Sequence, residues 1–440
     1  MRDYFESLTA HLDTLVTGAE VYLATFAGED SDFVRLNRSA VRQAGQVKQR
    51  MLGIELIDGA RHAHMSVGLT GRSELDRRVL GAALSRLREC LRCVADDPHF
   101  LFNEQVSSTE HLDEHQLPPA AAMLDGLLSG TNGLDLVGFL AAGRLYRGFA
   151  NSLGQRNWHA TLSANFDWSL HLGGDRAVKA AYGGKHWDEG DIATAMAGAR
   201  AQLRLLERPA ISLEPGTYRA YLAPRALAEV MELLSWGGFG MKQLRTRQSP
   251  LIRLGDERET LAEAVHLEEH SAGGIAPAFQ NAGFIKPDIV PLVESGRLLE
   301  PLISPRSARE FDVATNGASD AEVPQSLSMR GGCVDPDNVL AALGTGLYVN
   351  NLWYLNYSDR AACRMTGMTR FAAFWVDNGE IVAPVNVMRF DDSIYRLLGR
   401  NLEALTSRPE MILSTDTYES RSVHSMRLPG ALVGEFRLTL

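Results

Sequence analysis

The chain has 440 residues, with 44 Lys and Arg against 54 Asp and Glu, a formal net charge of −10 at pH 7. A hydrophobic fraction of 45% and a charged fraction of 22% exclude wholesale disorder. The acid excess excludes the broad basic face of a general nucleic-acid binder, and four cysteines are too few for a disulfide scaffold.

At roughly 100–200 residues per domain, the length predicts two or three domains. Forty glycines against seventeen prolines fit a turn-rich chain with much β structure. The N-terminal residues carry acids from Asp3 onward and lack the apolar core of a signal peptide, so a cytoplasmic protein is expected. The uncharged run Asn338–Ser358 is long enough to span a bilayer. Asn350, Asn351, Asn356, Gly344 and Gly346 make it too polar and broken for that, and it reads as strand and turn.

In chain order, Tyr4, Phe5, Leu8, Leu12 and Leu15 predict a helix over 2–17, stopped by Gly18. β-like runs follow at Val21–Phe26, Phe33–Asn37 and Gln46–Leu69, the last folded back at Asp58-Gly59. The stripe Leu80, Ala83, Leu84, Leu87, Leu91 and Val94 predicts a helix over Ser73–Ala95. Asp96–Gly133, with Pro98, Pro118 and Pro119, reads as a linker or long loop. From Leu134 three or four strands are expected, with turns near Gly143 and Leu153-Gly154, then a helix over Asp188–Glu207 ended by Pro209. The last region opens with a strand at 217–224 and a helix over Arg225–Trp236, followed mostly by strands and loops. No internal repeat is present. The expected fold is α+β: an N-terminal antiparallel α/β unit (1–98), a middle β-rich segment with a closing helix (99–209), and a β-rich C-terminal domain of curved, mostly antiparallel sheet (210–440).

No nucleophile elbow or phosphate loop occurs. Gly344-Thr-Gly346 lacks the remainder of such a loop and reads as a turn. Cys90-Leu-Arg-Cys93 lies within the second predicted helix. Cys90 there shares a face with Ala83, Leu87 and Val94, which predicts buried structural cysteines rather than a redox pair. His-x-x-Glu-His occurs twice, as His111–His115 around Glu114 and as His266–His270 around Glu269. On a helix, two histidines at i and i+4 can hold zinc while the glutamate serves as general base. The first copy sits in the linker and the second is closed by Ser-Ala-Gly-Gly, so loop or helix-end residues are the plainer expectation. His62, His64, His159 and His171 are expected as strand residues facing solvent or a neighbour.

The segment Phe371–Val387, FAAFWVDNGEIVAPVNV, is a β-hairpin pattern turning at Asn378-Gly379. It resembles the signature of the TldD/PmbA family, on the PmbA (TldE) side. Pro215–Tyr218 with Tyr221–Pro224, Arg247–Leu251, Ile289–Glu300, Gly344–Val349 and Met426–Phe436 are similar to family segments in the same order. Ala150–Gly154 resembles its Asn-Ser-x-Gly turn. The resemblance is specific after residue 210 and weaker before it.

The resemblance implies a heterodimeric peptidase that takes extended, unstructured peptides into an internal chamber. In it the TldD subunit carries zinc through a His-Glu-x-x-x-His helix and a late cysteine. The corresponding helix here, Arg225–Trp236, has no histidine, and Glu229 with Glu232 is a poor zinc site. The last cysteine is Cys363. The resemblance therefore implies a TldE-like subunit with no catalytic residue, no metal and no cofactor of its own, beside a TldD-like zinc subunit. Two alternatives remain open. One is an active metallohydrolase using His266, Glu269 and His270. The other is a stand-alone peptide-binding scaffold, such as a homodimer. No nucleic-acid or membrane partner is expected.

Overall fold

The computed structural model describes residues 1–174 and 176–439. The chain opens with helix α1 (Arg2–Asp13), whose Phe5, Leu8 and Leu12 are buried along one stripe. Two long strands follow, β1 (Val21–Asn37) and β2 (Ala40–Asp58), paired antiparallel along their whole length. The expected gap in β1 between Phe26 and Phe33 does not exist. Ala27 to Asp32 are hydrogen-bonded on both sides, to β2 and to a later strand, and this pairing overrides the weak strand propensity of the polar residues. Strand β3 (Arg61–Gly68) returns through a two-residue turn at Gly59 and Ala60, as Asp58-Gly59 predicted.

Helix α2 (Ser73–Leu91) buries Leu80, Ala83, Leu84, Leu87 and Leu91 as its periodicity required, but it ends before Val94, which is exposed. The cysteine reading is overturned: Cys90 and Cys93 are both exposed. Cys90 lies one residue, about 100° of helical rotation, from the seam at Leu91, and Cys93 falls in the turn beyond the helix end. The predicted linker contains the short strand β4 (Glu110–Leu112) and the helix α3 (Ala120–Ser129), which buries Met123 and Leu127.

Strands β5 (Asp135–Asn151), β6 (Arg156–Gly173) and β7 (Arg176–Gly184) form a meander closed by helix α4 (Glu189–Leu205). The expected turn at Gly143 is absent: Gly143 is paired within β5, opposite Ser31 of β1. Because β1 pairs β5, the first and middle segments share one seven-stranded sheet in the order β3-β2-β1-β5-β6-β4, with β7 also on β6.

The two faces of this sheet have different partners. Even-numbered residues of β1 and β6, such as Tyr22, Ala24, Phe26, Phe166 and Trp168, pack beneath the four helices. On β6 the odd-numbered residues Asn157, His159, Thr161, Ser163 and Asn165 are polar and buried. Their contacts explain how burial is tolerated. His159 meets the Ile275 carbonyl, and Asn165 donates to the Ser414 carbonyl, so this face docks on the C-terminal half.

Among the described residues the C-terminal half holds a nine-stranded and a six-stranded sheet, mostly antiparallel. The first includes β8 (Gly216–Leu222), which leads into helix α5 (Pro224–Ser235). Ala226, Leu227, Val230, Met231 and Leu234 of α5 sit in one core with residues of both sheets. The Asn378-Gly379 turn has φ of 49° and 81° and joins Ala373–Asp377 to Glu380–Val385, as predicted. Among the described residues no helix is long and apolar enough to cross a membrane.

Candidate functional site

Helix α5 is amphipathic. Pro224 stands in its first turn, where a missing N–H is harmless. With one side committed to the core, the other presents Arg225, Ala228, Glu229 and Glu232, and beyond the helix end Trp236, to a cleft of about 380 Å³. Asp167 and Lys179 enter from β6 and β7, Asn351 from the strand-linking loop after Val349, and Ser414, Asp416 and His424 from the loop before the C-terminal strands. An adjoining cavity of about 560 Å³ shares Glu232, Trp236, Ser414, Asp416 and His424. The loop at 414–424 thus walls both. It is fastened by Arg421, which donates to the Ser163 carbonyl at 3.1 Å and to its Oγ at 2.6 Å, and to Ser31 Oγ at 3.2 Å.

The charges of the cleft are shaped by burial. Desolvation holds the Glu229 carboxyl above its ordinary range, Lys179 opposes this, and the like charge of Glu232 adds to it. Desolvation and Asp416 raise Glu232 in the same direction. Burial, and then the positive field of Lys286, hold His424 below the usual imidazole range. Lys179 and Asp167 form an ion pair at 3.5 Å. The arrangement offers carboxylates, cations and backbone groups along a groove, the equipment for holding a polar chain.

A zinc ion does not fit this donor set. Glu229 and Glu232 supply carboxylates without an imidazole on the helix, and among the described residues no group of three or more His, Cys, Asp or Glu is placed to hold a metal. The helical face that would align His266 with His270 is also not formed. Leu267–His270 is a strand between Ile289–Glu294 and Ser326–Met329. Alternation puts His266, Glu268 and His270 on one side and Glu269 on the other. Glu269 is buried and accepts from the Gln325 and Ser326 backbone N–H groups at 2.9 and 3.0 Å. Its role is to anchor the neighbouring strand. His270 Nδ1 lies 3.2 Å from Glu268.

The first His-x-x-Glu-His copy also separates. His111, on β4, stacks on His159 at 4.8 Å and lies 3.2 Å from Asp113, whereas His115 meets the Lys185 carbonyl at 2.7 Å and lies against His186 with its ring tilted by 33°. His62 and His64 both lie against Glu55, at 2.6 and 3.2 Å.

Sequence reasoning found Glu229 and Glu232 through the helix but missed Asp167, Lys179, Arg225, Asp416 and His424 in the cleft, and Arg147 in the adjoining cavity. Arg225 alone carried a local signal, as the first charged residue of a helix whose apolar stripe faces away from it. The others come from distant segments and carry no local signal.

Residues 215–440, just over half of the chain, match the PmbA/TldA metallopeptidase C-terminal domain. The fold is similar to that of TldE from Thermococcus kodakarensis, with a TM-score of 0.79 at 12% identity, covering 99% of this chain and 100% of that one. It is also similar to two proteins described as candidate modulators of DNA gyrase. The one from Thermotoga maritima has a TM-score of 0.77 at 14% identity, covering 99% of each chain. The one from Bacteroides thetaiotaomicron has a TM-score of 0.74 at 14% identity, covering 99% of this chain and 98% of that one. No curated protein matches the chain by sequence. With the signature hairpin, the central helix and the matched C-terminal half in agreement, the chain belongs to the TldD/PmbA metallopeptidase family.

Proposed function

We propose that this chain is the TldE-like subunit of a TldD/TldE-type zinc metallopeptidase, that it works in the cytoplasm, and that it leaves the metal to a TldD-like partner. The observation that carries this reading is the cleft side of α5, where Arg225, Ala228, Glu229 and Glu232 stand without an imidazole. The end-to-end likeness to a TldE supports it. In this role the chain completes a chamber and holds extended, unstructured peptide, and zinc in the partner supplies the activated water for amide hydrolysis. Here α5 supplies charge and shape, and the exposed backbone of neighbouring strands supplies sequence-tolerant hydrogen bonds.

Co-expression with the TldD-like protein of the same cell tests this. Expected are a stable pair on size exclusion, about one zinc per pair, and cleavage of an unstructured peptide by the pair but not by this chain alone. Glu229→Gln with Glu232→Gln should leave the zinc content unchanged. The reading is overturned if the isolated chain holds about one zinc that His266→Ala removes. It is equally overturned if the chain pairs only with itself.

A further inference from the structure

Arg147 is an unusual residue for its position. It lies on the odd-numbered face of β5, between β1 and β6, and opens on the cavity of about 560 Å³. Its Nη1 donates to the Tyr146 carbonyl at 2.9 Å. Among the described residues no carboxylate forms an ion pair with it. Glu29 is the acid whose field reaches it; that carboxylate accepts through Oε2 from Gln49 Nε2 at 2.9 Å and from the Arg421 backbone N–H at 3.1 Å, while its Oε1 is buried without a hydrogen-bond partner. Arg147 is half-buried, and a partly desolvated guanidinium without an ion-pair partner favours an incoming anion.

A second group in the same cavity is also short of a partner. Gln280 is 7% exposed, its amide oxygen accepts from the Ala282 N–H, and its Nε2 has no acceptor. Two under-used donors of this kind, one of them charged, are complementary to a carboxylate. Arg225, the half-buried arginine of the adjoining cleft, differs because the fields of three acids, Asp167, Glu410 and Glu229, reach it. The same cavity is also lined by Glu232, Asp320 and Asp416, which repel a polyacidic ligand and so restrict the match to a single carboxylate.

We propose that Arg147 and Gln280 form a carboxylate-binding pocket that anchors one end of a bound peptide. The pocket deepens the peptide-holding reading of the same cleft and rests on it. The carboxylate is that of the peptide C-terminus or of an acidic side chain, and the test separates the two.

The probes are three fluorescein-labelled unstructured peptides of about ten residues, measured by anisotropy on the purified full chain. One has a free C-terminus and no Asp or Glu, one is its C-terminal amide, and one is an amide carrying a single Glu. The free acid should bind about ten- to hundredfold tighter than the plain amide. In Arg147→Met the two should bind within about twofold of each other, while Arg147→Lys keeps part of the difference. Recovery of binding by the Glu-containing amide also upholds the pocket and assigns the carboxylate to a side chain. The pocket is overturned if the unsubstituted chain binds acid and amides alike, a comparison that needs no variant to fold, or if the preference survives Arg147→Met. Binding of no peptide in any form would instead remove the peptide-holding reading, and the pocket with it.

Discussion

His159 shows how a single residue couples the sheet to acid. It is 7% exposed, and burial with the neighbouring His111 pushes its imidazole down to about 4 from an ordinary 6.5. The folded chain therefore keeps it neutral between those values, where the unfolded chain takes up a proton. Its contribution is fully present above pH 6.5 and is lost as pH falls through about 4, a span of roughly 3 kcal/mol. His159→Gln should flatten the fall in stability over that window, read from urea midpoints at about pH 7.5 and about pH 4.5. An equal loss in both proteins would refute it. The sequence placed His159 on a strand, facing solvent or a neighbour, but the choice rests on Ile275, 116 positions away. Glu269 is similar. Its spacing from His266 and His270 suggested metal chemistry, and only the strand geometry turns it away from both.

At the scale of elements, helices and tight turns followed from local chemistry. The apolar stripe of α2 and the Asn378-Gly379 turn are set by periodicity and by positive φ, both of which are written in a few adjacent residues. Gly143 shows where local reading ends. An isolated glycine reads as a turn, yet here it lets two strands approach. A Cβ at this position would stand 2.2 Å from the Asp30 carbonyl oxygen and 2.7 Å from Ser31 Cα, and backbone cannot swing aside as a side chain can. Gly143→Ala should therefore cost about 3 kcal/mol or more and loosen the β1–β5 pairing. Denaturant unfolding with hydrogen exchange at Ser31 and its neighbours would measure it, and a change under about 0.5 kcal/mol would show the approach to be unimportant. Helix α3 was hidden for the converse reason: Met123 and Leu127 supply its apolar contacts, but the flanking prolines and the Ser- and Gly-rich end speak for a loop.

Across the whole molecule the two halves share their cores. Ala372 and Phe374 of the C-terminal half pack with Leu136, Phe166 and Ile192, and Phe279 packs with Leu23, Ile57 and Phe149. A fragment of residues 210–440 would expose these surfaces. It should bind a hydrophobic dye and unfold at a lower denaturant midpoint than the full chain, which should unfold in a single transition. A fragment as stable as the whole would mean that the shared cores contribute little. By itself the sequence determined the α+β class, the family through its C-terminal segments, and the absence of histidine from the central helix, because composition, periodicity and turn chemistry act over a few residues. The tertiary structure alone decided that the first and middle segments form one sheet, that Cys90 and Cys93 lie outside, and that Arg147, Asp416 and His424 meet around α5. Strand pairing and loop docking join residues hundreds of positions apart, and nothing in the local sequence at either end records the other.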